Sequence, residues 1–309
     1  MRAFVKTHFP AFFSLLHKSK ESYYSFLGHY FPEKLLKDWY KAIFHEDINL
    51  DAPRNICEKI CWMKLHADTS LWTRCADKYA VRKYVEERGL GSTLNELYGV
   101  YEDATEINFD LLPEQFVLKT NNGGGGNNVI IVQSKPTLNI KGTANQLNGW
   151  LKHKIGYRWV EPHYRGIKPL VIAEKYLQPE AEESSLLDYK FYCFDGRVHS
   201  VFFCSDRSFG ESVHYSTYDL DWHYQPEKTI SKYRTDKIYA KPRSLDKMIE
   251  YSSILSKGIP FVRVDWYEID GEPVFGEMTF TPGGGFLQFH SMDYLIELGD
   301  QLILPPAIR

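Results

Sequence analysis

The sequence predicts an α+β fold, with helices beside antiparallel strand pairs rather than a doubly wound parallel sheet. Apolar residues recur at helical spacing through residues 1–66. From Phe116 onward the chain instead carries short β-rich runs. Two pairs of such runs flank Asp195-Gly196 and Asp270-Gly271, which are strong hairpin signals. Because hairpins join antiparallel strands, a sheet built from them belongs to the α+β class.

The composition is that of a folded chain with no dominant charge. At ~100–200 residues per domain, 309 residues correspond to about two domains or one large one. The 7 Trp, 21 Tyr and 19 Phe supply apolar surface that offsets ordering entropy, which excludes a disordered chain. A formal charge of −3 argues against bulk binding of nucleic acid, which needs a basic surface. No run of ~18 apolar residues occurs, so no transmembrane helix is expected.

The cysteines are odd in number and lack the spacing of a disulfide framework. They are Cys57, Cys61, Cys75, Cys193 and Cys204. Free thiols in a reducing cytoplasm fit this pattern best, so we expect a cytoplasmic protein. Cys57 and Cys61 share one helical face, and no second Cys or His pair at ligand spacing accompanies them. That pattern favours core packing over a metal site.

The first residues begin like a secretion signal, with Arg2 and Lys6 around apolar side chains. Thr7, Pro10 and His17-Lys18 then interrupt the apolar run, so a signal core of the usual length does not form. We therefore expect a short aromatic helix here. Its contact with a membrane surface or a partner stays open as an alternative.

The remaining elements follow from local periodicity and turn residues. Asp77 is a plausible cap and Gly89 a stop signal for the helix between them. Further helices are predicted over residues 146–155 and 251–257. Strands are predicted over residues 116–120, 129–132, 170–177, 189–194, 198–204, 261–268 and 273–280. The acidic, Ser-rich residues 179–185 are expected to form a loop.

A glycine-rich loop, Lys119-Thr-Asn-Asn-Gly-Gly-Gly-Gly-Asn-Asn128, separates two predicted strands. Its glycines are Gly123, Gly124, Gly125 and Gly126. They allow the backbone to aim several N–H groups at one anion, and Lys119 adds a positive charge, so the loop predicts phosphate binding. A strand rather than a helix follows, which excludes a Walker A motif and a dinucleotide fingerprint. A flexible hairpin tip is the alternative.

Two carboxylates and an arginine occupy the last predicted strand pair. Arg263 and Asp265 share a face of one strand, and Glu277 and Thr279 share a face of the next, because side chains alternate. Pairing about Asp270-Gly271 places Asp265 near Glu277. Neighbouring carboxylates repel, so we predict a Mg²⁺ ion that bridges ATP phosphates, with Arg263 neutralising a transferred phosphoryl group. An exposed, salt-bridged hairpin is the alternative.

A second glycine loop, Thr281-Pro-Gly-Gly-Gly-Phe286, comes directly after this hairpin. Its backbone N–H groups are predicted to face a substrate carboxylate, with Thr281, Gly283 and Gly284 as the candidate residues. A simple turn is the alternative.

Two more motifs lie between the glycine-rich loop and the last predicted strand pair. Glu174-Lys-Tyr-Leu177 ends a predicted strand, and Asp188-Tyr-Lys190 opens the next. With the lysine strand, the glycine loop and the terminal Arg/Asp/Glu hairpin, they resemble the ATP-grasp superfamily. The resemblance implies two α+β subdomains that grip ATP, with an N-terminal helical extension.

The same resemblance implies roles for individual residues. Lys119 is the phosphate-binding lysine, Arg263 the catalytic arginine, and Asp265 and Glu277 the magnesium ligands. Thr279 stands where the family usually has Asn, and its hydroxyl can also bind Mg²⁺. The adenine hinge is Glu174, Lys175, Tyr176 and Leu177; as in D-alanine–D-alanine ligases, Asp188 holds ribose, and Lys190 is assigned to a phosphate or the adenine edge.

A further set of motifs follows a fixed order over roughly residues 53–300. They are Asn55-Ile-Cys-Glu-Lys-Ile-Cys-Trp62, Asp77-Lys-Tyr-Ala-Val-Arg82, Leu112-Pro113, Phe116-Val-Leu-Lys-Thr-Asn121, Asp188-Tyr-Lys-Phe-Tyr-Cys-Phe-Asp-Gly196, Tyr218-Asp219 with Trp222, Val262-Arg-Val-Asp265 and Phe275-Gly-Glu277. Together they resemble the TupA-like ATP-grasp group of bacterial surface-polysaccharide gene sets. This resemblance implies an ATP- and Mg²⁺-dependent ligase that joins a uronic-acid-containing glycan to an amino acid as an amide, through an acyl phosphate.

The resemblance also divides the chain. Residues 1–66 are the helical extension, 67–112 a pre-grasp segment, 113–174 the small subdomain with the glycine loop, and 175–309 the large subdomain with the Mg²⁺ site. Arg207 and His214 join Thr281 as candidates for the substrate carboxylate pocket. No nucleic-acid partner is expected, and peripheral association with polysaccharide assembly machinery is an open possibility.

Three other functions remain open at this point. A kinase would use the same ATP site to phosphorylate a sugar or another acceptor. A glycosyltransferase would need a nucleotide-sugar site, for which no Asp-x-Asp signature appears in a convincing setting. A non-catalytic ATP-binding subunit is disfavoured by the retention of Arg263, Asp265 and Glu277.

Overall fold

A computed structural model describes residues 21–124, 128–179, 186–205, 214–235 and 237–308. Over these residues, helices lie beside two antiparallel sheets, which confirms the predicted α+β class. Residues 1–20 of the predicted helical region and residues 180–185 of the predicted loop lie outside the described ranges.

The chain before the first strand is mainly helical. Residues 21–30 are helical and precede α1 (Pro32–Phe44), α2 (Ile56–His66), α3 (Ser70–Ala76) and α4 (Ala80–Glu87). The predicted helical region is interrupted at residues 45–55, because α1 ends on His45 in the left-handed conformation, with φ of 61°. The helix predicted after Asp77 is confirmed: this carboxylate accepts a hydrogen bond from the Ala80 N–H at 3.1 Å, and Gly89 takes φ of 78° past the last turn. No helix within the described ranges has the length and apolar character that a membrane crossing requires.

The smaller sheet has four antiparallel strands in the order β1-β4-β2-β3. They are β1 (Leu97–Tyr101), β2 (Phe116–Thr120), β3 (Val129–Val132) and β4 (Val171–Lys175). β2 and β3 coincide with the predicted strands around the glycine-rich loop. Lys119 pairs with Val129 across that loop, so β2 and β3 form one hairpin. β1 was not predicted; it comes from the segment 67–112 and joins this sheet through β4.

One helix packs on the smaller sheet and begins earlier than predicted. The sequence predicted a helix over residues 146–155, whereas α5 spans Ile140–Leu151. The side chain of Asn139 caps it by accepting a hydrogen bond from the Gly142 N–H at 2.9 Å. Glycine is a poor helix former, so Gly142 conceals the first turn from a propensity argument. Ala144 and Leu147 of α5 are buried in the core of this sheet.

The larger sheet has five antiparallel strands in the order β7-β6-β5-β8-β9. They are β5 (Asp188–Phe194), β6 (Arg197–Ser205), β7 (His214–Tyr218), β8 (Val262–Ile269) and β9 (Glu272–Thr279). The helices around it are α6 (Pro162–Arg165), α7 (Leu245–Ser256) and α8 (Met292–Gln301). Both predicted hairpins are confirmed, with Asp195 and Asp270 at positive φ in their turns. The helix predicted over residues 251–257 is the C-terminal half of α7, and β7 and α8 were not predicted.

The register of the central strands aligns charged residues across the sheet. Asp265 pairs with Lys190 on one side and with Glu277 on the other. Arg263 pairs with Thr279 two residues along the same strands. Since directly opposite residues lie on the same face of a sheet, these side chains are neighbours. A bulge after Asp265 shifts the rest of the β8–β9 pairing.

The main core joins the N-terminal helices to the larger sheet. Cys57 and Cys61 of α2 are fully buried in it, as the core interpretation of their spacing predicted. Cys75 and Cys193 are likewise free, buried thiols, while the side chain of Cys204 is outside the described set. α2 is held by a capping box, in which Asn55 accepts from the Glu58 N–H and the Glu58 carboxylate accepts from the Asn55 N–H.

Burial of a histidine predicts acid sensitivity. His163 is buried beside the stacked rings of Trp72 and Phe280, edge-on to both, and neither ring nitrogen has a hydrogen-bond partner within the described part of the chain. Desolvation, helped by the charge of Lys64, lowers the pKa of His163 to about 3. In the unfolded chain the pKa returns to ~6.5, so only the unfolded state takes up this proton as the pH falls from ~6.5 towards about 3. Stability is therefore lost on acidification through this window.

We expect His163→Phe to remove that loss. Between pH 7 and pH 5, the wild type should lose about 2 kcal/mol more unfolding free energy than the variant. Urea denaturation at the two pH values measures this difference. His153→Phe, at an exposed histidine, is the matched control and should follow the wild type. Equal pH slopes for His163→Phe and the wild type would contradict the assignment.

Candidate functional site

A cluster of charged side chains lies across β5, β8 and β9. It contains Asp188, Lys190, Arg263, Asp265 and Glu277, all of them predicted from the sequence. Every member except Glu277 is buried, although isolated charges are rarely found in protein interiors. Burial of this many charges requires that each be paired.

Asp265 is the centre of the cluster. The Arg263 guanidinium donates to both of its carboxylate oxygens, from Nε at 2.7 Å and from Nη2 at 2.6 Å. Lys190 Nζ donates to the same carboxylate at 2.6 Å and to Asp188 at 2.5 Å. The structure thus places Lys190 between two predicted ligand-binding acids. A two-pronged guanidinium fixes the orientation of a carboxylate more firmly than an ammonium group does.

Glu277 lies at the more open side of the cluster. Arg263 Nη2 donates to Glu277 Oε1 at 3.2 Å and to Thr279 Oγ1 at 3.1 Å, and the Thr279 hydroxyl donates to Glu277 at 3.0 Å. Burial alone would raise the pKa of Glu277. The charges of Lys78, Arg263 and Lys190 outweigh burial and hold that pKa well below its usual range. Glu277 is therefore an anion at neutral pH.

The chemistry of these groups fits a magnesium ion. Asp265 and Glu277 are opposite each other, and the Thr279 hydroxyl adds a third oxygen donor. Mg²⁺ prefers such oxygen ligands and takes only one or two carboxylates when phosphates supply the rest. Among the described residues, no group of three or more His, Cys, Asp or Glu side chains is arranged around one metal position. In this structure ammonium and guanidinium groups neutralise the carboxylates instead.

Lys78 connects the cluster to the glycine-rich loop, and the sequence argument gave it no role. Its Nζ donates to the Gly123 carbonyl at 2.6 Å and to Glu277 Oε2 at 3.0 Å. Its backbone N–H donates to the Asn121 carbonyl at 2.9 Å. Asp77, its neighbour, accepts from the Asn121 amide at 2.9 Å. In the sequence, Lys78 belongs to the motif Asp77-Lys-Tyr-Ala-Val-Arg82. That motif alone does not show which residues Lys78 contacts.

We expect Lys78→Met to raise the KM for MgATP roughly tenfold, because charge-assisted hydrogen bonds contribute about 1.5–3 kcal/mol each. Steady-state ADP release at varied ATP measures it. The control is Lys83→Met, which removes an exposed lysine from α4 and should leave KM unchanged. An unaltered KM in Lys78→Met would show that this lysine is remote from bound nucleotide.

The glycine-rich loop is described only in part. Gly123 is buried, and a Cβ there would lie 2.8 Å from the Cβ of Asn128, which explains the need for glycine. Gly124 is exposed with open space around it. Gly125 and Gly126 lie outside the described residues. Lys78 connects the described end of the loop to the cluster, because its Nζ donates to both the Gly123 carbonyl and Glu277.

Lys119 and the hinge residues are placed on the smaller sheet. Lys119 Nζ forms an ion pair with the buried Glu174 at 2.6 Å. A cleft of about 750 Å³ lies beside the end of β4. It is lined by Lys175, Tyr176 and Leu177 from the hinge, and by Tyr98, Pro113, Glu114, Gln115, Gln178, Pro179, Ile269 and Asp270. Since Ile269 ends β8 and Asp270 begins the β8–β9 turn, the cleft lies between the two sheets.

The second glycine loop is fixed from beneath by α2. Gly283, Gly284 and Gly285 all have positive φ, a conformation that glycine adopts without steric cost. The buried Lys64 donates to the Gly284 carbonyl and, at 2.8 Å, to the Trp159 carbonyl. Thr281 donates to Glu161 at 2.6 Å. Of the other predicted substrate residues, His214 opens β7, two strands from Asp188, and Arg207 lies outside the described residues.

Three comparisons with known proteins show what this chain is similar to. A family model described as TupA-like ATPgrasp matches residues 58–303. No curated protein matches. Among solved structures, D-alanine–D-alanine ligase from Bacillus anthracis is 19% identical over 74% of this chain and 68% of its own, with a TM-score of 0.39.

Two further solved structures are also distant likenesses. The ADP complex of purK, N5-carboxyaminoimidazole ribonucleotide synthetase, is 15% identical over 81% of this chain and 59% of its own, with a TM-score of 0.49. The ATP-grasp ligase PsnB, in complex with a variant of its minimal precursor, Mg and ADP, is 11% identical to this chain. The likeness covers 78% of this chain and 65% of PsnB, with a TM-score of 0.40. This chain therefore spans 59% to 68% of the length of these three proteins.

Proposed function

The chain belongs to the TupA-like ATP-grasp family and is an ATP-grasp ligase, and from this premise we propose that it joins a uronic-acid-containing glycan, or its precursor, to an amino acid as an amide. ATP first transfers its γ-phosphoryl group to the uronic carboxylate, which yields ADP and an acyl phosphate. The amine then attacks the acyl carbon, and inorganic phosphate and a proton leave. A free carboxylate lacks a usable leaving group, which is why the phosphoryl step must come first.

The arrangement of Arg263 between Asp265 and Glu277 carries this proposal. Phosphoryl transfer depends on positioning and on stabilising negative charge, and these residues supply both. Asp265, Glu277 and Thr279 would hold a Mg²⁺ ion, which when bound neutralises and orients the ATP phosphates. Arg263 would then contact the transferring group.

Other residues bind the nucleotide and protect the product of the first step. Lys119 and Lys78 contribute positive charge near the phosphates, and the hinge residues 174–177 line the cleft proposed for adenine. We further propose that the segments 113–174 and 175–309 close on ATP. Closure of the glycine loop Gly123–Gly126 would exclude water, which hydrolyses acyl phosphates. We also propose the cytoplasm as the site of the reaction, because ATP is available there and the free, buried thiols suit a reducing compartment.

The test is a screen of amino acids against uronic-acid glycans, with ADP release and product mass both measured. The expected product has the mass of the two substrates less one water, formed in equal amount with ADP. Asp265→Asn is the inactive control that identifies contaminating ATPases. A phosphorylated glycan without any amide would instead establish a kinase and contradict the ligase proposal.

A second experiment tests the acyl phosphate itself. With ATP and the glycan but no amino acid, hydroxylamine should trap the activated carboxylate as a hydroxamate. The trapped product should require ATP and should be lost in Asp265→Asn. If enzyme that forms the amide when the amino acid is supplied gives no hydroxamate at saturating hydroxylamine, the proposed intermediate is contradicted.

A further inference from the structure

Glu161 is a carboxylate at the start of the second glycine loop that no step of the proposed reaction uses. It directly precedes α6, yet its side chain does not cap that helix. Its Oε1 instead accepts a hydrogen bond from the Thr281 hydroxyl at 2.6 Å. The side chain is only partly exposed, and no cation of the described residues forms an ion pair with it. An enclosed carboxylate normally has a positive partner, so this position suits a cation that a substrate supplies.

Lys64 of α2 is the cation whose charge acts on this carboxylate, but its hydrogen bonds go elsewhere. Its Nζ donates to the carbonyls of Gly284 and Trp159. Burial raises the pKa of Glu161, and the charge of Lys64 with the Thr281 hydrogen bond offsets only part of that rise. A carboxylate with a raised pKa takes up a proton more readily than an ordinary surface glutamate, which suits it to act as a base.

The same carboxylate lies near the charged cluster of the larger sheet. Thr281 follows Thr279 by two residues, and the Thr279 hydroxyl donates to Glu277 at 3.0 Å. Burial, and then the charges of Glu161 and Glu277, raise the pKa of Tyr164 on α6. Tyr164 is therefore within electrostatic range of both carboxylates. Because the acyl phosphate forms where the γ-phosphate is held, an amine bound at Glu161 would be close to the acyl carbon.

We propose that Glu161 binds the amine of the incoming amino acid and accepts its proton as the amine attacks the acyl phosphate. This assignment rests on the proposed ligase function and supplies the base for its second step. Near pH 7 an amino acid carries its amine mainly as an ammonium ion, which has no free lone pair. The Glu161 carboxylate attracts that cation and repels the carboxylate of a glycan, so this position favours the amine substrate.

The proton balance of the second step follows from this role. The ammonium group gives one proton to Glu161, and the nitrogen lone pair then forms the C–N bond at the acyl carbon. The bond between that carbon and the phosphate oxygen breaks, and phosphate leaves with the electron pair. Phosphate takes up a second proton from the nitrogen, so the products are the amide and hydrogen phosphate. Glu161 then releases its proton to water, which restores the carboxylate.

Two nucleophiles separate this step from the rest of the reaction. Hydroxylamine is largely uncharged at neutral pH and needs no base, whereas the amino acid does. With ATP and a glycan that the wild type uses, Glu161→Gln in the full chain should form the hydroxamate at nearly the wild-type rate. It should form the amide roughly 10²-fold more slowly at pH 7. Below the pKa of the amine, this rate should rise about tenfold per pH unit, because solution then deprotonates the amine.

Two further variants complete the comparison. Thr281→Val keeps the shape of the side chain but removes the hydroxyl that holds Glu161, so amide formation should slow roughly tenfold while hydroxamate formation is unchanged. The matched control is Glu268→Gln. Glu268 also accepts from a hydroxyl, that of Ser244 at 2.5 Å, but it does so beside α7 and outside the charged cluster. This variant should form both products as the wild type does.

The outcomes distinguish this proposal from the ligase function itself. Wild-type amide formation by Glu161→Gln would overturn the role of Glu161. An equal loss of amide and hydroxamate in a variant that circular dichroism shows to be folded would also overturn it. If Glu161→Gln does not fold, an unchanged amide rate in Thr281→Val is the contradicting result. A wild type that forms no amide with any amino acid would instead contradict the proposed ligase function.

Discussion

Asp265→Asn is expected to reduce ATP turnover roughly 10²–10³-fold or more, the loss seen when one preorganised charge-stabilising group is removed. Asn keeps the size of the side chain but loses its charge, so it cannot neutralise Arg263 and Lys190 or bind Mg²⁺ strongly. The Arg263 guanidinium would also lose the carboxylate that orients it from 2.6 and 2.7 Å. ADP release, measured over a Mg²⁺ titration, gives the loss and shows whether excess metal restores activity.

Comparison with Glu277→Gln separates the metal-binding role from stability. Both variants should lose turnover, because both remove a proposed ligand of Mg²⁺. Asp265 is buried while a third of the Glu277 side chain is exposed. Asp265→Asn should therefore destabilise the fold by about 3–5 kcal/mol, the usual effect of breaking a buried ion pair, and Glu277→Gln by much less.

An acid outside the cluster supplies the control for both variants. Glu272 begins β9 and pairs with Lys247 at the exposed end of the same hairpin, at 2.6 Å. Glu272→Gln should retain the turnover and the stability of the wild type. Full activity in both Asp265→Asn and Glu277→Gln would show that the metal assignment is wrong.

The hairpins were predictable because their determinants are local. Asp270-Gly271 fixes the turn, and the alternation of side chains fixes which residues share a face. These two rules bring Asp265 opposite Glu277, as the structure shows. The same reasoning found β2 and β3, since both are short β-rich runs beside glycines.

Contacts between distant segments were not predictable in this way. Lys78 lies 199 residues before Glu277, so no local pattern relates them. Strand β1 is half-buried at every position and therefore lacks the alternation that identifies a strand. Lys64 precedes Gly284 by 220 residues, so no local pattern shows that the fold buries its ammonium group under that carbonyl. In each case tertiary packing, rather than propensity, determines the environment of the residue.

Arg263→Lys is expected to lower kcat roughly 10³-fold while the KM for ATP changes little. Lysine keeps the positive charge but not the planar group with which Arg263 contacts Asp265, Glu277 and Thr279 at the same time. Such geometry matters most for charge that develops during phosphoryl transfer. Steady-state kinetics separate kcat from KM, and single-turnover measurements separate the chemical step from product release.

Two comparisons decide between charge, geometry and stability as the cause of that loss. Arg197→Lys, at an exposed arginine on β6, should leave both constants unchanged and controls for the substitution itself. Thermal unfolding of Arg263→Lys reports any loss of the buried network. If kcat is retained and only KM rises, Arg263 binds ATP in the ground state and is not catalytic. If kcat falls in a variant that is still folded and binds ATP with unchanged affinity, positive charge alone is insufficient, and the fixed two-pronged geometry of Arg263 is what the transfer step requires.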